Sequence, residues 1–209
     1  NSTADICVIS SEHFSSQLRR VEEIYKLNQI LKKLFDEISI IVYIRNPIEA
    51  AISLLSTHIK CGGVPNGLNI EFFANRINNL KIIENWESIF LRENLKIKLF
   101  NKEEFIDGNL IKDFCLACNI KLSSEFIFPG KVNESLSLDQ MKYLNYLNQY
   151  FPPFKNDRIN KERSNLTKFV LKNFKSSSRF LPTKREYDLF KRYFKYDNDI
   201  IRKKYFPEK

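Results

Sequence analysis

"IVYIRNPIEAAISLLSTH", residues 41–58, passes from an unbroken apolar run into Arg, Asn and Pro and then into a second apolar pattern. The run begins earlier, as "ISIIVYI" over 38–44, and is rich in β-branched residues. Strands of this composition are those buried on both faces of parallel sheets. The helix that follows is announced by its first residues. Asn46 is an N-cap type, Pro47 suits the first helical position, and Glu49 stands three past the cap. The spacing predicts a helix to about Lys60, stopped by Gly62 and Gly63.

Upstream, "DICVIS" (5–10) is a short apolar run bounded by small polar residues and reads as a first buried strand. From Phe14 to Phe35 the apolar positions Leu18, Val21, Ile24, Leu27, Leu31 and Leu34 recur at threes and fours, which predicts one long helix. Strand, helix and strand make a βαβ unit with a right-handed crossover. Downstream, residues 70–91 read as two helices with Trp86 in the core, and "KIKLF" (96–100) as a further strand. "NLIKDFCLACNI" reads as a helix, "LSSEFIFPGKVNESLS" as irregular, and 137–151 as a helix ended by Pro152 and Pro153. Residues 155–165 read as a polar loop, and two helices at about 165–174 and 183–205 close the chain. The expected architecture is α/β, in three layers with a short parallel sheet and a helical C-terminal half, as one domain over 1–209.

The 209 residues suffice for a substantial core, and 43% hydrophobic content excludes a disordered chain. The net charge of +9 suits an anionic partner: nucleic acid, a phosphate-bearing cofactor, an acidic glycan or a membrane surface. A lysine-rich solvated surface explains it equally well. Four cysteines are too few for a disulfide framework in a chain of this length. Cys115 and Cys118 stand at i and i+3 of a helical pattern and read as core packing. His13 and His58 do not complete a zinc spacing with them, so no metal is expected. No apolar run approaches the roughly 20 residues that span a bilayer, and the opening residues do not read as a signal peptide.

Ligands of open α/β sheets sit at the carboxyl ends of the strands. Arg45 stands at such an end, beside a helix N-terminus whose free N–H groups and dipole favour an anion. A guanidinium there can grip a phosphate through two charge-assisted bonds. Ser53 comes eight residues later, two helical turns on, and its hydroxyl can complete the same anion site. An Arg45–Glu49 pair with Ser53 giving packing room is the structural alternative.

The segment "YIRNPIEAAISLLSTHIKCG" resembles the second nucleotide-binding segment of the sulfotransferases that use 3′-phosphoadenosine 5′-phosphosulfate (PAPS). In that family an Arg at a strand end and a Ser eight residues later hold the 3′-phosphate, and Arg45 and Ser53 match in type and spacing. "VISSEHF", "KIKLFNKEEFIDGNLIKDFCLACNI", "KVNESLS" and "LFKRYFKYDNDIIRKKYF" are similar, in order, to later segments of the bacterial, carbohydrate-type members. The resemblance implies a P-loop NTPase-like fold, PAPS as donor, no metal, and a hydroxyl acceptor on a carbohydrate. The family's opening strand, phosphate-binding loop and helix have no counterpart, so the chain reads as an N-terminally truncated sulfotransferase that need not be active as a fragment, with a degenerate relative as the alternative.

Sulfuryl transfer needs a base for the acceptor hydroxyl. The family draws it from the region matched by "SSEHF", which offers Glu12 first and His13 second; Glu12 also fits a helix's first turn, complementing its dipole. Lys131, in "PGKVNESLS", corresponds to a loop that often meets the 3′-phosphate in the family, although its residue type by itself favours plain surface exposure. Bacterial members work in the cytoplasm and animal relatives in the Golgi lumen. The alternatives are a non-catalytic protein of the same fold and a basic nucleic-acid-binding protein. The latter would need basic and aromatic side chains on one face, and the lysines are scattered.

Overall fold

A computed structural model describes residues 5–123, 126–128, 135–174 and 178–209. The elements in chain order are α1 (His13–Ser16), α2 (Val21–Leu31), β1 (Ile40–Ile44), α3 (Pro47–Lys60), α4 (Ile70–Ile77), α5 (Asn79–Phe90), β2 (Leu95–Leu99) and α6 (Leu110–Ala117). They continue with α7 (Leu138–Asn148), β3 (Phe154–Lys155), β4 (Arg158–Ile159), α8 (Lys161–Asn173), α9 (Lys184–Tyr193) and α10 (Lys195–Tyr205). The protein is α/β, mostly helical, with a short two-stranded parallel sheet. No helix among the described residues is long and apolar enough to cross a membrane. The described residues of Asn1–Arg45, Asn78–Phe128 and Tyr196–Lys209 form one unit, and those of Asn46–Ile77 and Pro129–Lys195 a second.

The first unit is built on β1 and β2, which pair in parallel with Ile40 opposite Leu95 and Ile44 opposite Leu99. Side chains alternate between the faces of a strand. One face therefore gathers Ile40, Val42 and Ile44 with Leu95, Ile97 and Leu99. It packs with Ile24 of α2, Ile83, Trp86 and Phe90 of α5, and Ile201 and Tyr205 of α10. Trp86 stacks on Phe90 and meets the edge of Phe14. The other face carries Tyr43, Lys96 and Lys98 toward α6, where Lys96 Nζ donates to the Ala117 carbonyl at 2.7 Å. Glu87 of α5 anchors α10: Lys204 Nζ lies 2.7 Å and the Tyr205 hydroxyl 2.5 Å from its carboxylate.

The second unit is helical. Ile48, Ala51, Leu55 and Ile59 recur along one face of α3 and are buried among Phe73, Leu144, Phe190 and Phe194. Ser56, on the same helix, accepts the Leu136 N–H at 2.9 Å. At the end of α3 the buried Arg163 guanidinium donates to the Lys60 carbonyl (2.8 Å) and to Asn148 Oδ1 (3.2 Å), placing a cation at the negative end of the helix dipole.

Several sequence expectations are corrected. Residues 5–10 are not a strand: Ile6, Val8 and Ile9 are exposed, and no neighbouring strand among the described residues offers them a ladder. A β-branched run without a partner has nothing to realise its propensity against. The parallel pair is instead β1 with β2, joined through α3, α4 and α5. Burial on both faces of β1 is only partial, with Ile44 alone fully buried. The long helix from Phe14 to Phe35 divides at Arg20, which is extended, because Glu23 accepts the N–H groups of Arg19 and Arg20 and starts a new helix. The polar loop at 155–165 holds the β3–β4 hairpin and the start of α8. The closing helix breaks at Phe194, whose ring is buried in the second core. Cys115 is buried as expected, whereas Cys118, at the end of α6, is only partly so.

Candidate functional site

Arg45 follows the last residue of β1, at the carboxyl end of the parallel pair. The ladder continues past the strand, since the Phe100 N–H donates to the Ile44 carbonyl at 2.7 Å. That bond puts Phe100 beside Arg45, whose guanidinium lies over the ring at 5.6 Å from its centroid. Asn79 Nδ2 donates to the Arg45 carbonyl at 2.9 Å, fixing the backbone there. Phe100 in turn meets the rings of Tyr43 and Phe105 edge-on. A half-buried guanidinium laid on an aromatic face is partly desolvated and directed, which strengthens its attraction for an oxyanion.

Beneath this aromatic cluster lies a charged one that the sequence did not disclose. Asp113 of α6 is 1% exposed. Its carboxylate accepts the Tyr43 hydroxyl at 2.5 Å and pairs with Lys98 Nζ at 3.0 Å. Burial pushes this carboxyl up, but Tyr43, Lys98 and the Ile106 N–H together outweigh it and hold it below its ordinary 3.8. Burial and the Asp113 charge push the Tyr43 phenol well above its usual range, so Tyr43 stays a donor. The cluster locks the last turn of β1 to β2 and α6, directly before Arg45. Tyr43 and Asp113 are 70 residues apart, so the only local signals were a tyrosine inside an apolar run and an acid four positions past the Asn109 cap.

The next residue after Arg45, Asn46, caps α3 as expected by accepting the Ile48 N–H at 3.0 Å, with Pro47 in the first turn. Ser53 sits midway along α3, half-buried, and its carbonyl accepts the Thr57 hydroxyl at 3.1 Å. Arg45 belongs to the first unit and Ser53 to the second. Glu12 is the N-cap of the four-residue α1, and both Glu12 and His13 are exposed. Both residues bond through the backbone: the Glu12 carbonyl accepts the Ser15 hydroxyl, and the His13 N–H donates to Ser11 Oγ. They follow an extended segment rather than the expected strand. Lys131 lies outside the described residues. Among the described residues no group of three or more His, Cys, Asp or Glu side chains is placed to hold a metal ion.

Comparison of the chain with protein-family models, with curated proteins and with solved structures returns no match. The functional reading therefore rests on the residues themselves.

Proposed function

We propose that the protein is a PAPS-dependent sulfotransferase of three-layer, P-loop NTPase-like fold, which moves a sulfuryl group from PAPS to a carbohydrate hydroxyl. The observation that carries this reading is the run β1–Arg45–α3: a parallel strand, an arginine at its carboxyl end, an Asn46-capped helix, and Ser53 two turns along. Arg45 and Ser53 hold the 3′-phosphate of the donor, and Lys131 adds a second positive charge to it. The acceptor oxygen attacks sulfur in line and forms the new S–O bond. The bond from sulfur to the donor's phosphate oxygen breaks, and its electron pair leaves with adenosine 3′,5′-bisphosphate. The acceptor proton passes to Glu12, or to His13 if Glu12 only caps α1. Both side chains are exposed, which leaves them open to a saccharide.

The test is titration of the full chain with adenosine 3′,5′-bisphosphate by calorimetry. The wild type is expected to bind, and Arg45→Ala to bind at least about tenfold more weakly, as loss of a charge-assisted phosphate contact requires. Identical isotherms for the two proteins would remove the site and the enzyme assignment with it.

A further inference from the structure

The β3–β4 hairpin is a short ribbon, fastened at its base, that displays apolar side chains to solvent. Phe154 pairs with Ile159 and Lys155 with Arg158, across a two-residue turn in which Asn156 and Asp157 have φ of 52° and 58°. These are the left-handed values of a type I′ hairpin turn, and Asn and Asp are among the residues that tolerate them. The base is fastened. The Asn160 N–H donates to the Pro153 carbonyl at 2.9 Å, and the buried Asn160 side chain donates to the Pro152 carbonyl at 3.0 Å. Pro153 packs so closely on Gly62 that a Cβ there would lie 3.0 Å from its ring. Every residue from Phe154 to Ile159 is nevertheless exposed.

Alternation along the two strands sends Phe154 and Ile159 to one face and Lys155 and Arg158 to the other. Phe154 is 64% and Ile159 69% exposed. Single exposed apolar residues are ordinary. Two large ones directly opposed on an anchored, projecting ribbon are not, because nothing in this unit gains from holding them in water. Beside the ribbon Lys155, Arg158 and Lys161, together with Ile159 and Glu162, line an open hollow of about 500 Å³. Tyr150, four residues before Phe154, is 62% exposed and touches Tyr146.

We propose that this hairpin docks the protein on an anionic lipid bilayer. The Phe154–Ile159 pair enters the interfacial region, and Lys155, Arg158 and Lys161 meet headgroup phosphates. The combination fits a bilayer better than a polyanion. A nucleic-acid strand is held by flat aromatic platforms along a basic groove; Phe154 and Tyr150 offer such faces, but Ile159 does not, and Asp157 and Glu162 interrupt the cations. A bilayer interface takes exposed apolar side chains together with flanking cations. Asp157 in the turn and Glu162 offset part of the positive charge, so neither the charge nor the apolar pair suffices alone and binding needs both.

The test is co-sedimentation of the full chain with phosphatidylcholine vesicles and with vesicles containing phosphatidylserine. The wild type is expected to partition at least about fivefold more strongly onto the anionic vesicles, at about fivefold per cation near the surface less the offset from the acids. Phe154→Ser/Ile159→Ser and Lys155→Glu/Arg158→Glu are each expected to lose at least about tenfold of that binding. All four positions are exposed, and thermal melts matching the wild type confirm that both variants fold. Ile159→Trp supplies a second readout, a blue shift of the added tryptophan's emission on anionic vesicles only. Wild-type partition equal on the two vesicle types, variants that bind as the wild type does, or an unshifted tryptophan would overturn the proposal. So would binding to heparin that the apolar substitutions leave intact while vesicles go unbound.

Discussion

Asp113 carries a full charge at 1% exposure, and three donors account for it: Tyr43, Lys98 and the Ile106 N–H. Its carboxyl is held below the ordinary 3.8, so the folded state binds that proton more weakly than the unfolded state does. Stability from this group is therefore complete above the ordinary value and is withdrawn as pH falls through the lower native one. Asp113→Asn removes the charge and leaves Lys98 facing a neutral amide. A loss of about 3 kcal/mol is expected near neutral pH, since breaking one side of a buried pair strands the other. Urea unfolding checks it, and the gap between variant and wild type should narrow in acid as the wild-type carboxyl takes up its proton. A constant gap at every pH would mean that the loss is steric. At this scale the sequence was readable only where partners are near in the chain. Asn46 capping Ile48 two residues on was visible; Tyr43 meeting Asp113 was not, because nothing local marks a contact made only in the folded chain.

Two apolar runs show why elements were legible unevenly. "ISIIVYI" and "DICVIS" have similar composition, yet the first forms β1 and the second stays extended and exposed. Strand formation depends on a partner, and composition says nothing about whether one is present. Helices, which satisfy their own backbone, were read more faithfully: α3 runs from Pro47 to Lys60, between the signals at Asn46 and Gly62. Their interruptions at Arg20 and Phe194 escaped the periodicity because a capping carboxylate and one buried ring decide them. The end of α3 offers a sharp test. A Cβ on Gly63 would overlap the His58 ring, which is itself held against Phe72 with 5.1 Å between ring centroids. Gly63→Ala is expected to cost about 1–2 kcal/mol, as overpacking does. Most of that loss should vanish in a His58→Ala background, where the clashing ring is gone. A double-mutant cycle by thermal or urea unfolding measures the coupling, and additive losses would place the strain in the backbone instead.

Across the whole molecule, the strands that carry the candidate anion site belong to one unit, and α3 and α4, on the chain path between them, to the other. Charge and composition suit an anionic partner without selecting one, because a net charge of +9 is a sum over the surface. On the reading proposed above, the motif narrows that choice to a nucleotide bearing a 3′-phosphate, with Arg45 and Ser53 as the residues to test. The most direct measurement compares the affinity of the full chain for adenosine 3′,5′-bisphosphate with that for adenosine 5′-phosphate, in the wild type, Arg45→Ala, Ser53→Ala and the double variant. The account predicts a wild-type preference of at least about tenfold for the bisphosphate. Each single substitution should reduce that preference, and the double one should lose less than the sum of the two because both residues serve one phosphate. Equal affinity of the wild type for both nucleotides, or a preference that Arg45→Ala leaves untouched, would contradict it.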